Sequence, residues 1–349
     1  TGAMLTHKNV MTEIANQDAV ERITPDDVYL LLGQMFHVAV LLCFPYMLFG
    51  CKIIVMNFEG EEVLKVIQSH KVTSMLAVAT MLNYLIDVPG FENYDVSSIR
   101  LMAYGGGPMS LTTLRKAMDK FPNSRFMQFM GQTEVSIIAL RLPPEDHFRD
   151  PDEIQYRRMQ GCGQEALMAD VRVVDDNDND VPKDGKTVGE FIYRGDMVMK
   201  GYLNLPELTE ETLRGGWCHS GDMGTWDEDG YFYVVDRKKE MIVSGGENIF
   251  SAPVEEAVYK HPAVKECAVI GVPHEVWGET VKAVVVLNEG MTATEEEIIQ
   301  ICKENLASYM KPTSVDFIDE LPKAPTGKIL KRELKEKYWG GADRRVGGV

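Results

Sequence analysis

In the stretch PKAPTGKILKREL (Pro322–Leu334), Lys328 follows Pro325 and Gly327. A lysine at the tip of so stiff a turn presents a fixed positive charge to an anion. A phosphate-binding loop would need Gly at position 322 and Ser or Thr at position 329. Pro322 and Ile329 stand there and exclude it. The start of a basic helix accounts for the same residues. In FMGQTE (Phe129–Glu134), Thr133 and Glu134 set a hydroxyl beside a carboxylate after a strand-like run. Hard oxygen ligands of this kind suit a Mg²⁺-bound polyphosphate, and a helix-capping pair explains them equally. YGGGPMS (Tyr104–Ser110) ends a strand and opens a helix, with Ser110 where the dinucleotide fingerprint requires its last glycine. Gly105, Gly106 and Gly107 would let a flat ligand lie against the backbone; a tight turn is the plainer reading. HSGDMG (His219–Gly224) places Asp222 between two glycines, in a turn, where its carboxylate could accept both hydroxyls of a ribose. A type I turn uses Asp in the same way. In VVDRKKEMIVSGGENI (Val234–Ile249), Arg237, Lys238 and Lys239 leave a strand and Gly245–Gly246 follow, as a solvated linker would.

The elements that must position these groups follow a rhythm. Apolar runs such as KIIVMNF, VTSMLAV, IRLMAYGG and RFMQFMG alternate with helix-like segments over the first 150 residues. That pattern predicts a largely parallel sheet covered by helices, with ligands at the carboxyl ends of its strands. From about Arg149, VRVVD, GEFIYRG and YFYVVDR read as short strands between Gly- and Asp-rich turns, predicting a small antiparallel barrel or sandwich. The acidic run DDNDNDVPKDG lacks the glycine and glutamate of a calcium loop, Val181 and Thr187 standing in their places. The last hundred residues read as a small α+β unit, with Ser251 the expected N-cap of its first helix.

Composition narrows the classes. With 36 basic against 53 acidic residues and a net charge of −17, no basic surplus exists to neutralise nucleic-acid phosphates. Six cysteines form no C-x-x-C pair, which fits a reducing, cytoplasmic setting and no zinc site. The uncharged run Val28–Cys51 is long enough to span a membrane. Gly33, Gln34, His37 and Pro45 interrupt it, so it reads as a buried strand (Val28–Leu32), a loop, a buried helix near Val38–Phe49 and a stop at Gly50.

Taken in order, MLTHKN (Met4–Asn9), MFH (Met35–His37), YGGGPMS, GQTE, GYLNLPELTEETLRGGWCHSGDMG, DGYFYVVDRKKEMIVSGGENI and PKAPTGKILKREL resemble the adenylate-forming superfamily of acyl-CoA synthetases, luciferases and adenylation domains. The resemblance covers nearly the whole chain. It implies an ATP-dependent carboxylate–CoA ligase that makes an acyl-adenylate and then an acyl-CoA. Its co-substrates would be ATP and coenzyme A, its metal Mg²⁺, its partners small molecules. A medium- or long-chain fatty acid is the expected substrate, given MFHVAVLLCF and twenty methionines; an aryl acid is the alternative. So is a truncated remnant that only binds nucleotide.

By resemblance, Lys328, Thr133 and Glu134 are catalytic, Glu134 holding Mg²⁺. Gly105, Gly106, Gly107, Met130, Gln132, Asp222 and Arg237 bind nucleotide, while Gly245 and Gly246 line the pantetheine tunnel. His37 and Tyr104 belong to the acyl pocket, and Lys239 is the hinge. Met130 departs from the family's aromatic adenine stacker, and Gln34 from its usual proline. The implied layout is a large AMP-binding domain over 1–238 (α/β to 148, barrel-like from 149), a mobile α+β lid over 239–338, and a tail over 339–349. TGAMLTH resembles the end of the family's phosphate loop. The loop proper is therefore expected upstream of Thr1, making this a fragment that is inactive without it. No membrane span is expected; peripheral membrane association and a homodimer are compatible with the resemblance.

Overall fold

The computed structural model describes residues 2–32, 35, 38–107, 109–324 and 329–340. They fall into two compact units, one comprising residues 1–220 and 224–234, the other residues 221–223 and 235–349.

The first unit opens with helix α1 (His7–Glu21). It continues through β1 (Val28–Leu32), α2 (Val38–Leu48), β2 (Lys52–Met56), α3 (Gly60–His70), β3 (Ser74–Leu76), α4 (Ala79–Ile86), β4 (Leu101–Gly105), α5 (Leu111–Lys120) and β5 (Arg125–Met130). β6 (Leu140–Leu142), α6 (Glu153–Met159) and β7 (Gln164–Glu165) complete a sheet ordered β2-β1-β3-β4-β5-β6-β7. Pairing is parallel from β2 to β5 and antiparallel from β5 to β7. Two apolar layers follow from strand alternation. Met102 and Tyr104 of β4 pack with α3, α4 and α5, whereas Leu101 and Ala103 join Met127, Phe129 and Leu140 in a second core. The strand, helix and glycine stop read in Val28–Gly50 all form, with Gly50 at φ +73°. Among the described residues no helix is long and apolar enough to cross a membrane.

β8 (Asp170–Val174), β9 (Gly189–Arg194), β10 (Cys218–Trp226) and β11 (Phe232–Arg237) form a four-stranded sheet in the order β11-β10-β9-β8, with α7 (Pro206–Thr212) between β9 and β10. The presence of β10 corrects the expectation that Asp222 sits in a turn: it lies within the strand. The flanking glycines have other uses. At Gly224 a Cβ would meet the Tyr233 carbonyl oxygen at 2.4 Å and the Phe191 ring at 2.5 Å, so glycine is the residue that permits this close approach. Gly221 takes φ +72° in open space and kinks the strand.

The second unit contains β12 (Ile242–Ser244), β13 (Glu247–Ile249), α8 (Ser251–Val258), β14 (Val264–His274), β15 (Gly278–Leu287), α9 (Glu295–Asn305), β16 (Ser314–Phe317) and α10 (Lys331–Trp339). The hairpin of β14 and β15 is its centre, joined by β12 and β16. Val254, Val269, Val285 and Ile298 fill one face, and Ile270, Val284, Leu321 and Leu334 the other. Ser251 is not the N-cap of α8 but its first residue, after Phe250. The cap comes from β11: the Asp236 carboxylate accepts the backbone N–H groups of Ser251 and Ala252 and the Ser251 hydroxyl. An acidic side chain from elsewhere in the chain satisfies the orphan donors that a local serine would otherwise take.

Candidate active site

The glycine turn follows β4, which lies parallel to β5 with Gly105 opposite Phe129. A Cβ on Gly105 would stand 2.4 Å from the Phe129 carbonyl oxygen, so the strands approach too closely for any other residue. Gly106 turns the chain at φ +76°, and among the described residues, chain neighbours aside, no atom lies within 4 Å of where a Cβ of Gly107 would be. Ser110, which broke the dinucleotide fingerprint, is the N-cap of α5, its hydroxyl accepting from Thr113 N–H at 3.1 Å. Tyr104 points into the core of the first unit. It is 1% exposed in the core, and its hydroxyl lies 2.9 Å from His147 Nε2. His147 Nδ1 donates to the Pro143 carbonyl at 3.0 Å, so Nε2 accepts the phenol proton. Burial pushes His147 down to about 4, which keeps it neutral. The alternation of β4 fixes this outcome by turning Tyr104 toward α5.

Thr133 and Glu134 lie in a 3₁₀ turn (Thr133–Val135) linking β5 to antiparallel β6. The loop is tight: Ala139 N–H donates to the Met130 carbonyl at 3.0 Å, and Ile137 N–H to that of Gln132 at 3.0 Å. A Cβ on Gly131 would lie 2.1 Å from the Ile137 carbonyl oxygen. Closing it places Ser136 at φ +53° and Ile137 at φ +87°. For a β-branched residue this costs on the order of 1–2 kcal/mol. The Ser136 hydroxyl, donating to the Met197 carbonyl at 2.8 Å, helps hold it.

The loop leaves Thr133 exposed, and its hydroxyl makes no hydrogen bond among the described residues. Glu134 is half-buried, and its Oε1 accepts from the Tyr202 hydroxyl at 2.6 Å. Its Oε2 has no hydrogen bond or ion pair among the described residues. Met130 is half-buried, its sulfur 3.7 Å from the Tyr193 hydroxyl. Gln132 is half-buried beside the Cys218 thiol. Burial, then the Glu134 charge, pushes that thiol up to about 12 against the lowering effect of Gln132.

Sequence reasoning passed over Tyr202. The backbone around it is stitched to the start of the chain: Met4 N–H donates to the Gly201 carbonyl at 2.8 Å, Lys200 N–H to that of Met4 at 3.0 Å and Leu203 N–H to that of Gly2 at 2.8 Å. Met199 N–H donates to the Glu134 carbonyl at 2.7 Å. Asn9 adds two bonds of 2.7 Å from its amide to the carbonyls of Asp196 and Val198. The segment 196–203 is thus fixed to both α1 and the Thr133–Glu134 turn. A Gly-Tyr pair in the stretch GYLNLPEL was the available signal.

In the second unit Asp222 is buried, and its Oδ1 receives Arg237 Nε at 2.5 Å. Lys239 is exposed in a 3₁₀ turn (Lys238–Glu240), and its carbonyl receives Lys335 Nζ at 3.5 Å. The adjoining Glu240 faces Lys331 Nζ at 3.4 Å; Lys331 also reaches Glu255 at 2.8 Å and the Ser251 hydroxyl at 2.6 Å. Gly245 and Gly246, at φ +60° and +89°, are the two central residues of the β12–β13 hairpin, a type I′ turn rather than a linker. Gly245 N–H donates to the Trp277 carbonyl at 2.9 Å. His37, and Lys328 with its framing residues Pro325 and Gly327, lie outside the described residues.

Among the described residues no group of three His, Cys, Asp or Glu side chains could hold a metal ion. One open carboxylate oxygen beside one open hydroxyl still fits Mg²⁺, which takes one or two carboxylates and completes its shell with water and substrate phosphates.

Residues 2–203 match the family model of AMP-binding enzymes, and residues 253–328 that of the AMP-binding enzyme C-terminal domain. A feruloyl-CoA synthase from Amycolatopsis sp is 38% identical over 340 residues, covering 97% of this chain and 67% of that protein. The medium/long-chain-fatty-acid–CoA ligase FadD8 of Mycobacterium tuberculosis is 35% identical over 357 residues, covering 99% and 60%. Among solved structures, o-succinylbenzoate CoA synthetase from Bacillus subtilis, in complex with its acyl-adenylate intermediate, superposes with a TM-score of 0.84 at 30% identity, covering 95% of this chain and 66% of that one. ATP-bound MatB from Rhodopseudomonas palustris gives a TM-score of 0.85 at 28% identity, covering 96% and 65%. The chain therefore spans 60–67% of the length of these relatives. On both sequence and fold, the chain belongs to the AMP-binding enzyme family.

Proposed function

We propose that the chain serves an ATP-dependent ligase that joins a carboxylic acid to coenzyme A through an acyl-adenylate. The observation that carries this reading is the open Thr133 hydroxyl and open Glu134 carboxylate oxygen, in the turn after β5, whose parallel neighbour β4 ends in the glycine turn. In the first half-reaction the acid's carboxylate attacks the α-phosphorus of ATP, and the bond to the β-phosphate breaks to release pyrophosphate. In the second, the thiol of coenzyme A attacks the acyl carbon and AMP leaves.

Thr133 binds phosphate oxygen in this reading. Glu134 would hold Mg²⁺, which neutralises phosphate charge when bound. Gly105–Gly107, Met130 and Gln132 form the adenine side. Asp222, held by Arg237, takes the ribose hydroxyls. Lys328 supplies positive charge during adenylation, Lys239 is the hinge, Gly245–Gly246 serve coenzyme A, and His37 borders the acid. Tyr104, its hydroxyl bonded to His147, borders the acid through its ring in this reading. The acid we infer is hydrophobic, a medium- or long-chain fatty acid. The 38% identity to a feruloyl-CoA synthase supports an aryl acid as the second reading. Six free cysteines, five of them buried, support a reducing cytoplasmic setting.

The test is acid-dependent ATP–pyrophosphate exchange by the full-length protein, phosphate loop included, over a panel of fatty and aryl acids. Exchange with at least one acid, reduced about 100-fold or more in Glu134→Gln, is the expected result. Equal exchange in the variant would remove Glu134 from the reaction.

A further inference from the structure

We propose that Tyr202 is the positioning residue that aims Glu134 at the metal–nucleotide. This rests on the reading of Glu134 as the Mg²⁺-binding carboxylate. Two independent observations point to it. The Tyr202 hydroxyl donates to one carboxylate oxygen, Oε1, and leaves the other, Oε2, without a partner among the described residues. A carboxylate free at both oxygens can rotate; one held at Oε1 presents Oε2 in a fixed direction. Second, Tyr202 is itself immobilised from several sides. Its backbone bridges to Ala3, its N–H donates to the Thr209 hydroxyl at 2.9 Å, and Gly201 and Leu203 on either side bond Met4 and Gly2. The donor is therefore held through its own backbone, by main-chain bonds to Gly2–Met4 and by the Thr209 hydroxyl. Metal ligands depend on such outer partners, whose loss commonly weakens metal binding ten- to a hundred-fold.

Tyr202 does not touch the reacting atoms in this account, so its removal should change metal dependence before anything else. ATP binding is followed by calorimetry across a MgCl₂ titration in the wild-type protein, Tyr202→Phe and Glu134→Gln, with melting temperatures recorded in parallel. The expected result for Tyr202→Phe is an increase of about tenfold in the MgCl₂ concentration at half-effect. ATP binding in EDTA and the melting temperature should stay at wild-type values. Should Tyr202→Phe melt several degrees lower, Tyr202→Trp, which fills the space and aims its N–H elsewhere, is read in its place. An unchanged Mg²⁺ midpoint in the tyrosine variant beside a raised one in Glu134→Gln overturns the role of Tyr202 alone. An unchanged midpoint in Glu134→Gln overturns the metal reading of Glu134 and this inference with it.

Discussion

Glu21 is 1% exposed, with its carboxylate accepting from the Tyr46 hydroxyl at 2.6 Å. Burial pushes it up to about 7, against the lowering effect of the Tyr46 bond. Eight residues earlier Glu13 is buried, with no hydrogen bond to either oxygen among the described residues, and burial, then the Glu21 charge, hold it well above the carboxylate range. A folded-state carboxyl raised above its unfolded value of 4.5 means the folded chain binds more protons. Stability therefore falls as pH rises from about 4.5 to about 7 and levels off above. For Glu21 the loss is on the order of 3 kcal/mol. Glu21→Gln should flatten that part of the profile, read as urea midpoints at pH 5 and pH 8. A wild-type slope retained in the variant would assign the effect elsewhere. Neither glutamate was legible in the sequence. On α1 they stand among Asn9, Thr12, Asn16 and Gln17, also buried, so a face that composition marks as solvated is in fact internal. Tyr202 was hidden for a different reason: its bond to Glu134 joins residues 68 positions apart, and no local pattern encodes it.

At the scale of elements the sequence was more readable, because periodicity is a local property. The β–α alternation of the first unit and the helix opened by Thr294, whose hydroxyl and Glu297 form a capping box, appear as their patterns imply. Glycine misled where its role is packing. Gly221 and Gly224 lie inside β10, and only the neighbouring strand shows that one of them permits contact and not a turn. The Gly245–Gly246 hairpin gives a clean test, since Gly246 has open space around it and only its φ of +89° restricts it. Gly246→Val should destabilise the second unit by about 1–2 kcal/mol. Gly245→Asn should be nearly neutral, because Asn-Gly suits this turn type. Equal melting of the two variants would mean that the turn relaxes to another geometry.

For the whole molecule, the second unit has its own two-sided core around β14 and β15. We expect residues 235–340, expressed alone, to unfold in one cooperative transition on thermal denaturation followed by circular dichroism. A broad, non-cooperative melt would show that its strands need the rest of the chain. Lys331 should matter to that stability. It is largely buried between Glu240, Glu255 and the Ser251 hydroxyl. Lys331→Met would strand two partly buried carboxylates and should lower the transition by several degrees. A melt unchanged at neutral pH would mean those carboxylates find water.

The bonds between Gly2–Met4 and Gly201–Leu203 carry a consequence for synthesis. About 200 residues separate the two segments, so at 5–20 residues per second the ribosome delivers the second some 10–40 s after the first. Through that interval the Gly2–Met4 segment must wait without its partner, and the Glu134 carboxylate, made 68 residues before Tyr202, waits through about the last third of it. Ligand contacts that depend on this closure cannot form on a shorter nascent chain, however well its parallel strands have already paired.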